Sequence, residues 1–337
     1  MASLRARSLS AAVLLTVTTI VAAGLAACSS SKSDGRSVHL VAYSVPKPAY
    51  DALSAAFEKT GAGQGVSFAA SYGASGTQSK AVANGQTADY VAFSLQPDLT
   101  KLVPKFVDAG WNSGPTKGFV SDSIVVIAVR KGNPKHITGW DDLIKPGIKI
   151  VTPDPGSSGS AKWNILAAYT HVLQTGGTDG RAKDYLKRFF GNVVAKPSSG
   201  ANATTTFLNG TGDALISYEN EAIAARQKGQ SLDYVVPDQS ILIENPAAVT
   251  KTAPSSAKDF LAFVESEAGQ KIFAAHGYRP VLPGVQPGTV QGANDPADPF
   301  PQVKNLQTIA DLGGWDAVNK KYFADGAIVP TIEGSSG

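Results

Sequence analysis

The segment Thr152–Asn164 reads Thr-Pro-Asp-Pro-Gly-Ser-Ser-Gly-Ser-Ala-Lys-Trp-Asn; it ends a β-branched run and begins a predicted helix with small residues. The first four N–H groups of a helix have no partner within it, and the aligned peptide dipoles leave about +0.5 charge there. Small side chains let these amides point outward together. The segment therefore predicts an anion site that needs no cationic side chain.

Two further turns of small residues precede predicted helices. Tyr72–Lys80 reads Tyr-Gly-Ala-Ser-Gly-Thr-Gln-Ser-Lys, and Ser198–Phe207 reads Ser-Ser-Gly-Ala-Asn-Ala-Thr-Thr-Thr-Phe. One such turn alone is more typical of a helix cap than of a ligand contact. Three of them in one chain favour a shared anion site.

Short β-branched runs alternate with helical patterns, which is typical of α/β proteins with mostly parallel sheets. The predicted strands are Val38–Tyr43, Val66–Ala70, Tyr90–Ser94, Ser123–Arg130, Lys149–Thr152, Ala214–Tyr218 and Tyr234–Val236. The predicted helices are Ala49–Lys59, Thr77–Ala83, Ala161–Gln174, Gly180–Phe190, Glu221–Gln230, Ala257–Ala275 and Gly314–Phe323. A chain of 337 residues exceeds what one hydrophobic core usually supports, so two domains are expected.

The N-terminus predicts export. Arg5 and Arg7 precede an apolar stretch, Ala11–Gly24, which has the length of a signal-peptide core and is too short to span a membrane. Residues 1–27 are therefore predicted to be a signal peptide that is removed.

Cys28 is a predicted lipidation site. Leu25-Ala26-Ala27-Cys28 resembles the lipobox of bacterial lipoproteins, in which the cysteine is acylated. Cys28 is the one cysteine of the chain, so it forms no intrachain disulfide. An ordinary secretory signal with an unrelated cysteine is the alternative. Residues 28–36 are small and polar and are predicted to be a flexible tether.

Composition and motifs argue against several other functions. The net charge is +3, charged residues are 17%, and no long basic run is present, so nucleic-acid binding is not expected. His39, His136, His171 and His276 lie in no zinc-like or base-like motif, and Ser75 and Ser158 lie in no Gly-x-Ser-x-Gly motif. We therefore expect no catalytic residue, metal or cofactor, and a serine hydrolase is the weaker alternative.

Several motifs resemble those of the sulfate-binding proteins that serve bacterial ATP-driven sulfate and thiosulfate importers. The resemblance runs from about Val38 to Phe323. It rests on Arg130-Lys131-Gly132-Asn133-Pro134-Lys135, Trp140-Asp141-Asp142-Leu143-Ile144-Lys145-Pro146-Gly147, Thr152–Asn164, Tyr218-Glu219-Asn220-Glu221-Ala222, Gly277-Tyr278-Arg279-Pro280 and Gly313-Gly314-Trp315.

The resemblance implies a two-lobed periplasmic-binding-protein fold of type II, in which each lobe is a mostly parallel sheet flanked by helices. Lobe I would comprise residues 37–122 and 242–337, and lobe II residues 123–241. The lobes would close on one tetrahedral dianion in the cleft between them. Strands near Ser123–Arg130 and Leu242–Val249 would carry the hinge.

The resemblance also implies the contacts, which are backbone amides and hydroxyls at Ser44, Ser75, Ser158, Gly159, Ser160, Ala201 and Tyr218. Tyr218 stands where the family has a tryptophan, and Ser160 stands where a glycine is common. Ser44 lies in a first loop that lacks the family's usual aspartate and arginine. Lys162 and Asn202 replace arginines that would brace the loops from behind.

The predicted function is extracytoplasmic capture of sulfate for an ABC importer with membrane permease subunits and an ATPase, by a monomer anchored to the membrane through Cys28. Sulfate only accepts hydrogen bonds at neutral pH, whereas phosphate keeps a proton that needs an acceptor, so a cleft of donors alone favours sulfate. Asp154 and Glu219 are predicted to point away from the ligand. Thiosulfate, molybdate and phosphate remain alternative ligands.

Overall fold

The computed structural model describes residues 36–334, and the secondary structure alternates strands with helices. The strands are β1 Ser37–Tyr43, β2 Ser67–Gly73, β3 Tyr90–Ala92, β4 Phe119–Arg130, β5 Ile150–Val151, β6 Val193–Ala195, β7 Ala214–Tyr218, β8 Leu232–Val235, β9 Gln239–Val249 and β10 Asn305–Gln307. The predicted α/β class is confirmed.

The helices join and cover these strands. They are α1 Lys47–Phe57, α2 Ser75–Ala83, α3 Gln96–Thr100, α4 Trp140–Leu143, α5 Gly159–Gln174, α6 Asp179–Gly191, α7 Gly200–Leu208, α8 Glu219–Gln227, α9 Ser255–Glu265, α10 Glu267–Ala275, α11 Gly314–Val318 and α12 Ile328–Gly334. A π-helical turn, Asn319–Phe323, follows α11.

The strands form one mixed sheet in the order β2-β1-β3-β9-β4-β7-β5-β6, with β10 on β9 and β8 on β4. The groups β2-β1-β3 and β6-β5-β7 are parallel within themselves. Every antiparallel pair among the described strands includes β4 or β9. Helices therefore connect the strands within each parallel group, and two long strands join the groups.

The strands β4 and β9 each change partners along their length. In β4, residues 119–124 pair with β9, whereas residues 125–130 pair with β7 and β8. In β9, residues 247–249 pair with β3. These two strands coincide with the predicted hinge strands, while the lobe boundaries themselves stay a prediction.

The C-terminal segment packs against α5 and α6. Trp163 of α5 lies edge-on to Trp315, with ring centroids 5.0 Å apart, and Tyr169 contacts Tyr322 at 5.1 Å. Lys321 Nζ pairs with Asp179 Oδ1 at 2.8 Å. The end of the chain thus contributes to the same apolar cluster as the helix that begins at the predicted anion site.

The prediction of one helix over Ala257–Ala275 is wrong, because α9 and α10 meet at Ser266. That residue has an extended backbone (φ −75°, ψ 164°), and its hydroxyl accepts a hydrogen bond from Gly269 N at 3.2 Å. A serine in this role begins a new helix. The apolar period alone does not reveal this break.

Some predictions concern residues outside the described part of the chain. The signal peptide, Cys28 and the tether up to residue 35 lie there. Among residues 36–334, no helix is long and apolar enough to cross a membrane.

Candidate functional site

The helices α2, α5 and α7 begin at the three small-residue turns. No side chain caps the first turn of α2 or α5 within the described region. In α7, Ser199 accepts from Asn202 N, which leaves the preceding amides of Gly200 and Ala201 without a side-chain cap. Free amides at a helix start are hydrogen-bond donors for an anion.

The starts of α2 and α5 lie against each other. A Cβ atom on Gly76 would be 3.2 Å from the carbonyl oxygen of Ser157, in the loop that leads into α5. A Cβ atom on Gly159 would be 2.7 Å from Ser94 Oγ. A side chain at position 159 would therefore clash with Ser94, whereas one at position 76 would require only a small shift of the Ser157 carbonyl.

The start of α7 joins the same cluster. A Cβ atom on Gly200 would be 2.8 Å from Ser160 Oγ, 3.0 Å from Val45 Cγ2 and 3.1 Å from Glu221 Oε2. These neighbours belong to α5, the loop after β1, and α8. The structure thus brings together the three turns that the sequence marked separately.

Tyr218 is wholly buried at the end of β7, immediately before α8. Its hydroxyl lies 2.6 Å from Ser94 Oγ, and the Ser160 side chain also hydrogen-bonds it. Burial raises the pKa of the tyrosine, so the hydroxyl keeps its proton at neutral pH. It is an uncharged group that can donate a hydrogen bond.

Ser75 directs its hydroxyl toward the protein. Its Oγ donates to Asp98 Oδ2 at 2.7 Å and accepts from Ser94 N at 3.0 Å. What Ser75 can offer a ligand is therefore its backbone amide at the start of α2. The buried Asp98 carboxylate is in turn paired with Lys101 at 3.0 Å.

Of the predicted contacts, Ser75, Ser158, Gly159, Ser160 and Tyr218 are buried. Ser44 and Ala201 are half-buried and line one surface groove of about 290 Å³, together with Lys47, Glu221 and Lys228. The groove lies beside the starts of α1, α7 and α8, and none of the five buried contacts lines it. A larger cavity of about 530 Å³, beside α11, contains none of the predicted contacts.

Asp154 and Glu219, the two carboxylates that are predicted to point away from the ligand, have partners in the protein. Asp154 accepts from Gly156 N at 3.0 Å within its own loop. Glu219 is buried and pairs with Arg279, with Nε to Oε2 at 2.7 Å and Nη2 to Oε1 at 3.1 Å. Burial raises the pKa of Glu219, and the guanidinium of Arg279 counteracts that shift.

Glu221, which lies in the first turn of α8, belongs to a quoted motif, but the motif alone predicts no role for it at the site. Its carboxylate accepts from Ser217 Oγ at 2.8 Å and Thr204 Oγ1 at 3.0 Å. Burial raises its pKa to about 7, so the carboxyl is only partly ionised at neutral pH and becomes mostly uncharged as the pH falls below 7. Its place between α7 and α8 follows from the fold, which a single glutamate in the sequence does not reveal.

The two residues that replace arginines make other contacts. Lys162 Nζ lies 3.5 Å from Asn319 Oδ1, in the C-terminal segment, and Asn202 Nδ2 lies 3.1 Å from Ser198 Oγ, in its own turn. Lys162 thus links α5 to the C-terminal segment, and Asn202 supports the start of α7.

The histidines lie apart from the serine hydroxyls. His39 contacts Asp89 at 2.8 Å, and His171 and His276 bond to carbonyl oxygens of their own helices. In residues 36–334, no three His, Cys, Asp or Glu side chains form a group that could hold a metal ion. What the cluster presents is amides and hydroxyls.

Comparison with known proteins agrees with this chemistry. Residues 38–279 match the family model of the bacterial extracellular solute-binding proteins. The sulfate-binding protein of Synechococcus elongatus is 39% identical, with 92% of this chain and 91% of that protein covered. The thiosulfate-binding protein of Pseudomonas aeruginosa is 32% identical, with 87% and 90% covered.

A solved structure gives the same result. The sulfate-binding protein SubI from Mycobacterium tuberculosis superposes with a TM-score of 0.80 and 45% identity, covering 85% of this chain and 99% of that one. The family resemblance and the periplasmic-binding fold predicted from the sequence are therefore confirmed.

Proposed function

Because the chain belongs to the sulfate-binding proteins, within the bacterial extracellular solute-binding family, we propose that it captures sulfate outside the cytoplasm and delivers it to an ABC importer. The observation that carries the proposal is the convergence of three uncapped or partly capped helix starts with the neutral hydroxyl of Tyr218. Such a cluster supplies hydrogen donors and partial positive charge without a cation.

The ligand contacts in this proposal are those that the resemblance implies. The amides of Ser44, Ser75, Gly159, Ser160 and Ala201 and the hydroxyls of Ser158 and Tyr218 would donate to the sulfate oxygens, since the Ser158 amide already donates to the Asp154 carbonyl oxygen at 2.9 Å. Hydrogen bonds to an ionised acceptor are roughly twice as strong as neutral ones, which offsets the desolvation of the dianion. The proposed closure of lobe I (37–122 and 242–337) on lobe II (123–241) would complete the set.

Selectivity follows from the absence of a free acceptor among these groups. A buried proton of hydrogen phosphate that finds no acceptor would cost about 1–3 kcal/mol. The carboxylates of Asp154 and Glu219 are occupied by partners in the protein, which supports a preference for sulfate. Molybdate and thiosulfate carry no proton either, so they are the closer competitors.

Isothermal titration of the purified protein with sulfate, thiosulfate, molybdate and phosphate tests the proposal. We expect tight binding of sulfate and at least ~10-fold weaker binding of phosphate. Tyr218→Phe removes one donor, and we expect it to weaken sulfate binding by about ten-fold. Absence of sulfate binding, or tighter binding of phosphate, would overturn the proposed function, and hydrolysis of generic esters would favour an enzyme instead.

The proposal includes a monomer held at the outer face of the membrane by acylation of Cys28. Metabolic labelling with a palmitate analogue tests this part. We expect label on the wild type and none on Cys28→Ala, with the variant released into the soluble fraction. An unlabelled wild type would leave sulfate capture intact and remove the anchor.

A further inference from the structure

Ser94 connects four parts of the site, although no sequence motif contains it. It is wholly buried in the loop between β3 and α3. Its amide donates to Ser75 Oγ at 3.0 Å, and its carbonyl oxygen accepts from Trp163 Nε1 at 2.9 Å and Asn245 Nδ2 at 3.2 Å. These bonds hold its backbone, so its side chain has a fixed origin.

The hydroxyl of Ser94 has one hydrogen-bond partner among the described residues, the hydroxyl of Tyr218, at 2.6 Å. A buried hydroxyl proton without an acceptor costs about as much as a lost hydrogen bond. Ser94 therefore donates to Tyr218, because Tyr218 Oη is the acceptor within its reach. The Ser160 side chain also hydrogen-bonds the Tyr218 hydroxyl, and as a second donor it leaves the proton of Tyr218 for an acceptor on the ligand.

We infer that Ser94 is a positioning residue for oxyanion binding: it occupies a lone pair of the Tyr218 oxygen and so turns the tyrosine hydroxyl into a donor toward the ligand. The inference rests on the proposed function. An indole N–H can only donate, whereas a phenol hydroxyl donates and accepts and can rotate. With tyrosine in place of the family's tryptophan, a second group is needed to fix the direction of the hydrogen bond, and Ser94 supplies it.

This role has a consequence for ligand choice. Without the Ser94 hydroxyl, the Tyr218 oxygen regains a free lone pair and can accept the proton of hydrogen phosphate. Ser94→Ala should therefore weaken sulfate binding by about ten-fold and weaken phosphate binding less, so the preference for sulfate falls. A purely structural role of Ser94 would weaken both ligands equally.

The experiment is a double-mutant cycle of Ser94→Ala and Tyr218→Phe, measured by titration with sulfate and with phosphate. We expect the double variant to bind sulfate no more weakly than Tyr218→Phe alone, because both changes remove one interaction. Ser240→Ala is the matched control, since Ser240 is also buried and its hydroxyl bonds to the Val125 carbonyl oxygen at 2.7 Å, on β4. It should leave sulfate affinity unchanged.

Thermal unfolding without sulfate checks that the variants fold. If Ser94→Ala does not fold, Ser94→Cys replaces it in the experiment, because a thiol is a weaker donor of similar size. Independent, multiplying losses in the double variant, or an unchanged preference for sulfate in Ser94→Ala, would overturn the role of Ser94. A wild type that binds no sulfate would instead refute the proposed function.

Discussion

Gly159→Ala tests whether α5 and the β3–α3 loop are in contact when the protein has bound its ligand. Gly159 is the first residue of α5, and a helical backbone accepts alanine. The added Cβ would lie 2.7 Å from Ser94 Oγ, 2.8 Å from Ser94 Cβ and 2.9 Å from Leu95 Cγ. The effect is therefore steric, and the neighbouring groups must move apart.

The size of the effect follows from overpacking. An extra methyl group in a tight contact costs about 1–3 kcal/mol, which corresponds to roughly 5- to 150-fold weaker binding. Ser94 and Leu95 lie in the proposed lobe I, and Gly159 lies in the proposed lobe II. If the lobes separate without ligand, the substitution weakens sulfate binding and leaves the ligand-free protein nearly as stable as the wild type.

Calorimetric titration with sulfate and urea unfolding without sulfate measure the two quantities. Gly180→Ala is the matched control, because Gly180 is also near the start of a helix, α6. A Cβ atom on Gly180 would lie no closer than 3.8 Å to another group, Thr178 Oγ1. We expect no change in its affinity. Wild-type affinity in Gly159→Ala would show that the contact is absent from the bound state. A loss of ligand-free stability as large as the loss of binding free energy would show that the contact also exists without ligand.

Three further predictions concern buried ionisable groups. Arg279→Met leaves Glu219 buried without its partner and should destabilise the protein by about 3–5 kcal/mol in urea unfolding; a change as small as that of exposed Lys47→Met would contradict this. The pKa of Glu221 is raised from 4.5 to about 7, so the wild type should lose up to about 3 kcal/mol of stability as pH rises from 5 to 8. Glu221→Gln should remove this pH dependence. Curves of unfolding free energy against pH that run parallel for the two proteins would contradict the prediction. Burial lowers the pKa of His171, so wild-type stability should fall as pH drops below about 6.5, whereas the melting temperature of His171→Phe should lack this contribution.

The sequence predicts the helix starts at the site well, because glycine and serine before an apolar helix have few other interpretations. α5 and α7 begin within the segments that were marked, and β7 spans Ala214–Tyr218 as predicted. Their convergence could be expected from the resemblance, which placed them in one cleft. The three small-residue turns by themselves predict the chemistry of an anion site and do not predict how the turns are arranged in space.

Other parts could not be read from local patterns. β9 contains Asn245-Pro246, a dipeptide that usually marks a turn, and it remains a strand because Pro246 lies at an irregularity in the pairing with Phe119. Ser94 lies in no motif, and the motif that contains Glu221 gives that residue no role. Ser94 acquires its role from Tyr218, more than a hundred positions away, and Glu221 acquires its role from Thr204 of a neighbouring helix. Such roles require the tertiary fold.

The indole of Trp163 gives the protein a built-in optical reporter. It bonds to the Ser94 carbonyl oxygen and lies edge-on to Trp315, so its surroundings include both the β3–α3 loop and the C-terminal segment. Any separation of that loop from α5 changes the polarity around the ring. Intrinsic fluorescence should therefore follow occupancy in the unlabelled wild type, and rapid mixing can record the speed of the rearrangement.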